Sequence, residues 1–584
     1  MARTAVASGL SGFPSTVKPL TSAHVWLLRW SVRIAGSVIL LAFFGVILVW
    51  PMVVVLTRSL GSPVWSSYAA QLATPATTAI LMRTLATAVA VTAITLLIGY
   101  PAAYAITRMS RRRRITAIAL LLLPYLTSLL VRTYVWMAIL GHDGPVVWLL
   151  RQMGVERESL IGTWIGVLIV LVHVYLPLMV LVLYVSMRAI DVRQMDVAAS
   201  SGASRGEAFV RVFLPQTTLG TAAGCALVFL GAAGAFVTPA LIGGPSQFTI
   251  VMLIFDQLGV FEWRAAATLA IVLFAGTALI LAIGGWCVGF WRSPKRKSKR
   301  GPARQSNSIA PIRTLGRVAS WVPRGVLFLV TRAALAVAIA LVDVPLLLLL
   351  AVSLQPLPIL ALPTHGLSLH WYARVISNSE WLAAGTRSIE LGFVSAAIAL
   401  SIGYIAAWRA HVGGSLERWI VTSAAFAPLA IPVIVFATGL YAVYVSLGLI
   451  GQFVAIAAAH ALLGLPFVFV YVAVGLASYD ERLSLVAASL GATAFQSFWR
   501  VRWPLLRPAF AIAFGVALLV SFEEFVVTNF LAGTGFQTLP LRMWAGTQQD
   551  LSPELAVVGS MIVAGLVVLS ALAAILRPRR GQPA

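Results

Sequence analysis

Charge is the scarcest property of this sequence. Asp, Glu, Lys and Arg make up 10% of its 584 residues, against roughly 25% in a soluble globular domain. So few charges cannot cover a water-facing surface of this size, which excludes a soluble globular protein. Acidic residues are rarer still, 18 against 42 Lys and Arg, leaving a net charge of +24. Cysteine is nearly absent: Cys225 and Cys287 fall within or beside apolar runs, so they offer neither a disulfide framework nor a metal site and read as packing residues. Nothing has the spacing of a catalytic triad, a zinc site, a dinucleotide loop or a phosphate-binding loop. The chain is therefore expected to be no enzyme and to bind no cofactor or metal of its own.

What is abundant is apolar, 60% of the residues. Runs longer than the ~20 residues that cross a bilayer recur along the chain, and backbone in lipid must satisfy its own hydrogen bonds, so the runs are expected to be helices. They number about twelve by that length criterion. Six centre near Leu40, Ala90, Leu129, Leu171, Phe229 and Leu273, and six near Ala340, Ile398, Val433, Phe467, Ala517 and Gly565. The expected fold class is an all-α membrane protein. The run from Ile34 is long enough to span and no small-residue cleavage pattern follows it, so it reads as a retained first helix.

The positive residues mark topology. Arg108 with Arg111 to Arg114, the block from Arg292 to Arg304, and Arg577, Arg579 and Arg580 are placed in the cytoplasm by the positive-inside rule, with both termini on that side. These blocks lack interleaved aromatics, so they read as membrane anchors rather than as a nucleic-acid surface. The stretch from Trp291 to Pro323 is basic, rich in Ser, Pro and Gly and without an acidic residue. It reads as a linker. The expected organisation is a cytoplasmic segment over 1–32, a first six-helix domain over 33–290, a linker over 291–323, a second six-helix domain over 324–577, and a tail over 578–584.

The two domains look duplicated. Asp191 to Pro215 aligned with Asp480 to Pro504 gives 12 identities in 25 positions, an offset of 289. Earlier in each half, Arg83, Gly99, Tyr100, Ala102, Ala103 and Pro124 match Arg387, Gly403, Tyr404, Ala406, Ala407 and Pro428 at an offset of 304. A longer external loop in the first half, around Gly144 to Ile161, accounts for the change. Six spans per half make the repeats parallel, with a path expected at their interface.

The duplicated polar segment is expected to be two short helices joined at Gly202, a left-handed position that costs glycine little. Ser204 then caps the second helix, with Glu207 reaching back; the second copy uses Gly491, Thr493 and Gln496. Pro215 and Pro504 are expected to stop the second helix before the next span. "DVAASSGASRGEAFVRVFLP" and "LVAASLGATAFQSFWRVRWP" resemble the EAA loop of binding-protein-dependent ABC transporter permeases. In both, glycine and proline hold the family's spacing, Gly202 to Pro215 and Gly491 to Pro504. The resemblance implies that Asp196, Ala198, Ala199, Gly202, Glu207 and Pro215, with Leu485, Ala487, Ala488, Gly491, Gln496 and Pro504, couple to two separate cytoplasmic ATPases that carry the ATP and Mg. It also implies an external solute-binding protein and a bacterial plasma (inner) membrane location. Val197 and Val486 stand for the family's first alanine, and Leu485 stands where the first copy has Asp196, so any salt bridge made there to an ATPase exists on one side only, which leaves equal and unequal coupling of the two ATPases both open.

"FLGAAGAFVTPALIGGPSQFTIVMLIFDQ" and "LPYLTSLLVRTYVW" are similar to the first permease of spermidine/putrescine importers, and "SFEEFVVTNFLAGTGFQTLPLRMW" to the second. The resemblance implies both permeases fused in one chain. Related branches carry ferric iron, opines, aminophosphonates or thiamine. Independently of family, Glu523 and Glu524 lie together in an apolar span and Asp343 in another, and carboxylates in a membrane face a partner or an aqueous path. Adjacent helical positions diverge by about 100 degrees, so the two glutamates face different ways. One is expected to line the path and the other to pair with a neighbouring helix or stay protonated. With Phe522 and Phe525, a carboxylate here suits a cationic cargo. Asp343 has a second reading, that it satisfies backbone freed by Pro345. The lone His173 and His460 read as packing or hydrogen-bonding residues. Asp143, Glu156, Glu158, Asp256, Glu262, Asp550 and Glu554 are candidates to receive a binding protein and equally read as solvated charge. The reading from another class is an ion-driven secondary transporter with Glu523, Glu524 and Asp343 as proton sites.

Overall fold

The computed structural model describes residues 34–60, 63, 65–125, 127–191, 193–292, 324–363, 366–549 and 552–575. The N-terminal segment, nearly all of the linker, the tail and Asp550 lie outside the described residues. Within them the chain is helical, without a strand. In the first repeat the principal helices are α1 (Ile34–Leu60), α2 (Pro75–Thr107), α3 (Arg111–Tyr125), α4 (Leu129–Leu140), α5 (Trp164–Arg188), α6 (Arg193–Ser200), α7 (Gly206–Ala233), α8 (Val237–Ile242), α9 (Ile250–Gly259) and α10 (Trp263–Gly289). In the second they are α11 (Gly325–Ser353), α12 (Ser379–Val412), α13 (Ser415–Ala430), α14 (Val433–Leu447), α15 (Phe453–Ala477), α16 (Arg482–Ser489), α17 (Phe495–Glu523), α18 (Val526–Leu531), α19 (Leu539–Gln549) and α20 (Glu554–Ile575).

The duplication is built into these boundaries. The starts of α2, α3 and α4 recur 304 residues later in α12, α13 and α14, and those of α5 to α9 recur 289 residues later in α15 to α19. Between the two registers the first repeat carries an additional helix, Pro145–Gln152, which is the insertion expected around Gly144 to Ile161. The matched residues are matched for a reason. Arg83 donates to the carbonyl of Ser246 and Arg387 to that of Gly535 at 2.7 Å, 289 residues apart. Thr84 Oγ1 accepts the Ile250 amide at 3.0 Å, and Ser388 Oγ accepts that of Leu539 at 2.7 Å. A Cβ on Gly99 would meet Met179 at 3.0 Å, and one on Gly403 would meet the equivalent Val468 at 2.5 Å. Small residues let helix backbones approach where no hydrophobic force drives them together.

Nine described helices are long and apolar enough to cross a membrane, and eleven if each of two bent pairs counts as one span; the apolar stretch Glu554–Val568 of α20 is shorter. The bent pairs correct the expected spans centred at Leu129 and Val433. α3 meets the stretch Leu129–Gln152, which α4 begins, at 90°, and α13 meets α14 at 99°, so each supposed centre is the start of a new helix. In the first pair Ser128 is extended at φ −53, ψ 137, while the Thr127 hydroxyl and amide both donate to the Pro124 carbonyl at 2.6 and 3.1 Å. In the second pair Pro432 occupies the N-cap, and the residue before a proline is pushed out of the helical region.

Pro215 and Pro504 also behave differently from expectation. Neither stops a helix: α7 and α17 run on through them. A π-turn precedes each proline, Phe209–Phe213 and Phe498–Arg502, and the wider hydrogen-bond register accommodates a residue without an amide proton. Cys225 is half-buried and Cys287 exposed, so packing is a role for the first alone.

By internal packing the described chain forms two compact units. One joins Leu391–Pro428, Ala457–Ser521 and the start of α1; the other joins Pro51–Glu390, Leu429–Ile456 and the stretch from Phe522 onward. The second unit contains elements of both repeats, and within it α11 packs on α2, α4 and α5 and α20 packs on α4.

Candidate functional site

The acidic pair sits where α17 gives way to α18. Glu524 accepts the amides of Val527 and Thr528, both at 2.8 Å, and the Thr528 hydroxyl at 2.9 Å. Its carboxylate therefore caps the short helix α18, using amide protons that have no intrahelical partner. Glu523 turns the other way: its Oε2 lies 3.4 Å from Nη2 of Arg132 on α4. Arg132 is 7% exposed and stands 5.3 Å over the Tyr125 ring. The two glutamates thus diverge as helix geometry requires, one serving backbone and one meeting a cation from the other repeat.

Just beyond them lies an aromatic quartet. Phe525 stacks with Phe236 at 6.1 Å between centroids and lies 5.1 Å from Trp544, while Phe236 lies 4.7 Å from Phe255 and 5.4 Å from Trp544. Phe236 and Phe525 are equivalent positions of the two repeats, as are Phe255 and Trp544. Both phenylalanines are buried, Phe525 at 5% exposure, whereas Phe522 is half-buried. Sequence reasoning singled out Phe525 and missed Phe236, Phe255, Trp544 and Arg132. The signal for the first three was present, since they fall on apolar segments related by the 289 offset; no repeat marks Arg132.

Asp343 lies half-buried on α11 with Oδ2 lacking a partner among the described residues. The carbonyl that Pro345 leaves without an amide is that of Leu341, four residues earlier, and His173 Nδ1 reaches it at 2.8 Å. A carbonyl only accepts, so Nδ1 carries the proton. The repair that the second reading assigns to Asp343 is made by His173, whose ring also packs edge-on against Trp136 at 5.6 Å. His460 lies 2.8 Å from Ser521 Oγ. His173→Ala is expected to lower the thermal stability of the purified chain by about 1–3 kcal/mol, the cost of a buried polar group left unpaired. His173→Asn, which offers a donor, is expected to recover part of that in the same melting measurement.

Of the acidic loop candidates, Glu554 is taken up structurally. It is 15% exposed, paired with Arg374 at 2.8 Å and accepting from Trp381 Nε1 at 3.0 Å. Asp143, Glu156, Glu158, Asp256 and Glu262 are exposed.

The duplicated loops fold as two caps and a turn. Asp191 and Asp480 each accept the amide two residues on, at 3.0 Å, starting α6 and α16. Gly202 and Gly491 hold φ of +87 and +83. Ser204 and Glu207 then exchange bonds at 3.1 and 3.2 Å, and Thr493 and Gln496 at 2.9 and 3.2 Å. Asp196, Ala199, Leu485 and Ala488 are exposed, and Ala198 and Ala487 half-buried. The copies differ in surface. Leu485, Leu490 and Phe495 are 55%, 83% and 72% exposed, where the first copy has Asp196, Ser201 and Gly206, while Val197 and Val486 are exposed alike.

Duplicated membrane-length helices, polar loops repeated between them and carboxylates inside the apolar body define the class as a multi-pass membrane permease. Residues 399–582 match the family described as binding-protein-dependent transport system inner membrane component. The spermidine/putrescine transport system permease protein PotB of Escherichia coli K12 is 31% identical over 224 residues, covering 38% of this chain and 79% of that protein. PotB of Haemophilus influenzae is 33% identical over 195 residues, 33% of this chain and 68% of its own. PotC of Escherichia coli K12, the corresponding permease protein of that name, is 28% identical over 215 residues, 37% and 81%. A bacterial ABC transporter involved in the import of the acidic polysaccharide alginate shares 14% identity with a TM-score of 0.33, covering 45% of this chain and 99% of that one. The chain belongs to the binding-protein-dependent ABC importer permeases, and within them it resembles the polyamine permeases.

Proposed function

We propose that this chain is the transmembrane permease component of an ATP-driven importer of polyamines such as spermidine and putrescine, or of a related small cationic solute. Two six-helix domains, 33–290 and 324–577, act as the two permeases of such a system, joined by the 291–323 linker. Two cytoplasmic ATPases, which hold the ATP and Mg, dock on the loops at α6 and α16, and a solute-binding protein delivers the cargo from outside. Both termini are cytoplasmic in this arrangement.

The observation that carries the cargo assignment is Glu523, a carboxylate inside the apolar body, two residues from a quartet of aromatic rings. Carboxylate and ring faces together attract ammonium groups by charge and by cation–π interaction. The names of the PotB and PotC relatives support the same class.

Uptake of labelled spermidine and putrescine by cells with and without the chain tests this. Uptake is expected to require both the chain and its ATPases, and to fall about tenfold in Glu523→Gln, equivalent to about 1.4 kcal/mol at the path. Ferric iron, opines, aminophosphonates and thiamine are expected to compete poorly. Unchanged polyamine uptake without the chain overturns the cargo assignment. Transport by the purified chain alone overturns the ATP-driven mechanism in favour of a secondary transporter.

A further inference from the structure

The ion pair between α4 and the end of α17 is held by very little. Arg132 is more than nine-tenths buried, yet its contact with Glu523 is 3.4 Å long, beyond the roughly 2.7–2.9 Å of a tight charge-assisted bond. Its Nε and Nη1 have no hydrogen-bond partner among the described residues, and the Tyr125 face at 5.3 Å is its other support. A guanidinium carries five donors in a fixed fork. This one uses one nitrogen, poorly.

The pair is also an exception to the duplication. Arg132 corresponds to Phe436 at the 304 offset, and Glu523 corresponds to Gly234 at the 289 offset. Arg83 and Arg387, Thr84 and Ser388, and the two loops all occur twice; this pair occurs at one place, with its cation on the first repeat and its anion on the second. It ties the repeats together by a bond that inheritance from a single ancestor half does not explain.

We propose that Arg132 is a tethered stand-in for the cargo: its guanidinium occupies Glu523 while the path is empty, and an ammonium group of the incoming solute takes its place. The inference rests on the cationic-cargo reading above. An ammonium is a compact point charge with three rotatable donors, so it approaches one carboxylate more closely than a guanidinium fixed at 3.4 Å. The displaced Arg132 keeps the Tyr125 face. Exchange releases an ionic tie between the repeats, which couples occupation of Glu523 to their separation. A neutral solute cannot make the exchange. Arg132 is on this account a positioning and selectivity residue.

The test uses the complete transporter, this chain with its ATPases and solute-binding protein, in lipid nanodiscs for ATP hydrolysis and in proteoliposomes for uptake, with spermidine as the probe. Arg132→Gln is expected to raise cargo-independent hydrolysis about fivefold or more and to compress stimulation by spermidine to less than about twofold, since the tie is already open. Arg132→Lys keeps a cation on the tether and is expected to preserve stimulation. The charge-swapped R132E/E523R chain restores the buried pair and with it stability, but hangs the carboxylate on α4, and is expected to leave spermidine uptake abolished. The proposal is overturned if Arg132→Gln hydrolyses and transports like the wild type, or if the swapped chain transports in full, because the pair is then only a structural brace. If Arg132→Gln does not fold, the lysine and swapped variants decide between the same two outcomes. Failure of the wild-type transporter to take up any amine overturns the cationic-cargo reading itself, and the exchange with it.

Discussion

Leu490→Asp is expected to abolish ATP-driven uptake and to release the ATPases from the purified complex, while Ser201→Asp, at the same place in the first loop, lowers uptake less than about fivefold, within the ordinary range for a rim charge. Leu490 is 83% exposed at the end of α16 and stands with Leu485, Val486 and Phe495, each more than half exposed. Exposed apolar side chains of this size on a capped polar loop suit an apolar partner surface, which in the proposed importer is that of an ATPase. A carboxylate placed under the cover must be desolvated without a partner, at a cost of at least ~3 kcal/mol or about a hundredfold in affinity. Ser201 already presents a hydroxyl there, exposed. Co-purification of the ATPases with each variant, followed by uptake, checks both parts. Equal loss in the two variants would show that the copies dock alike despite their chemistry.

Phe525→Ala is expected to cost about 3 kcal/mol of stability and to eliminate cargo uptake, whereas Phe522→Ala costs less than about 1 kcal/mol. Phe525 touches Phe236 and Trp544 in the quartet and is 5% exposed; Phe522 is half-buried. Loss of the ring opens a cavity bordered by rings of both repeats, and helices in lipid have packing rather than hydrophobic force to hold them. Thermal melting of the detergent-solubilised chain separates the two substitutions. A Phe525→Leu variant that recovers stability but not uptake assigns the remaining loss to the ring face.

Much of the architecture was legible because it depends on local chemistry. Apolar length identified the membrane helices, since a backbone in lipid has no other way to satisfy itself. The repeat offsets of 289 and 304 fixed which helices correspond, and the insertion at Pro145–Gln152 separates them. The two caps and the left-handed glycines were readable at atomic detail because Ser204, Glu207, Thr493 and Gln496 act on amides within three residues. The prolines were harder. Pro215 and Pro504 pass inside helices through a preceding π-turn, and the third span of each repeat breaks at right angles, because hydrogen-bond register depends on how neighbours tolerate a wider turn.

What the sequence by itself determined is the class of molecule: a duplicated, charge-poor helical chain with two capped polar loops and carboxylates where lipid would not permit them unaccompanied. What only the tertiary structure decided is who accompanies them. Glu523 and Glu524 are adjacent and chemically identical, yet one caps α18 and the other meets Arg132, 391 residues away. Likewise the Leu341 carbonyl that Pro345 frees is reached by His173 on another helix, 168 residues away in sequence. Apolar length and capping are properties of a few consecutive residues, and sequence records them directly. The partner of a buried charge is set by which helices cross at that depth, and no local pattern encodes a crossing.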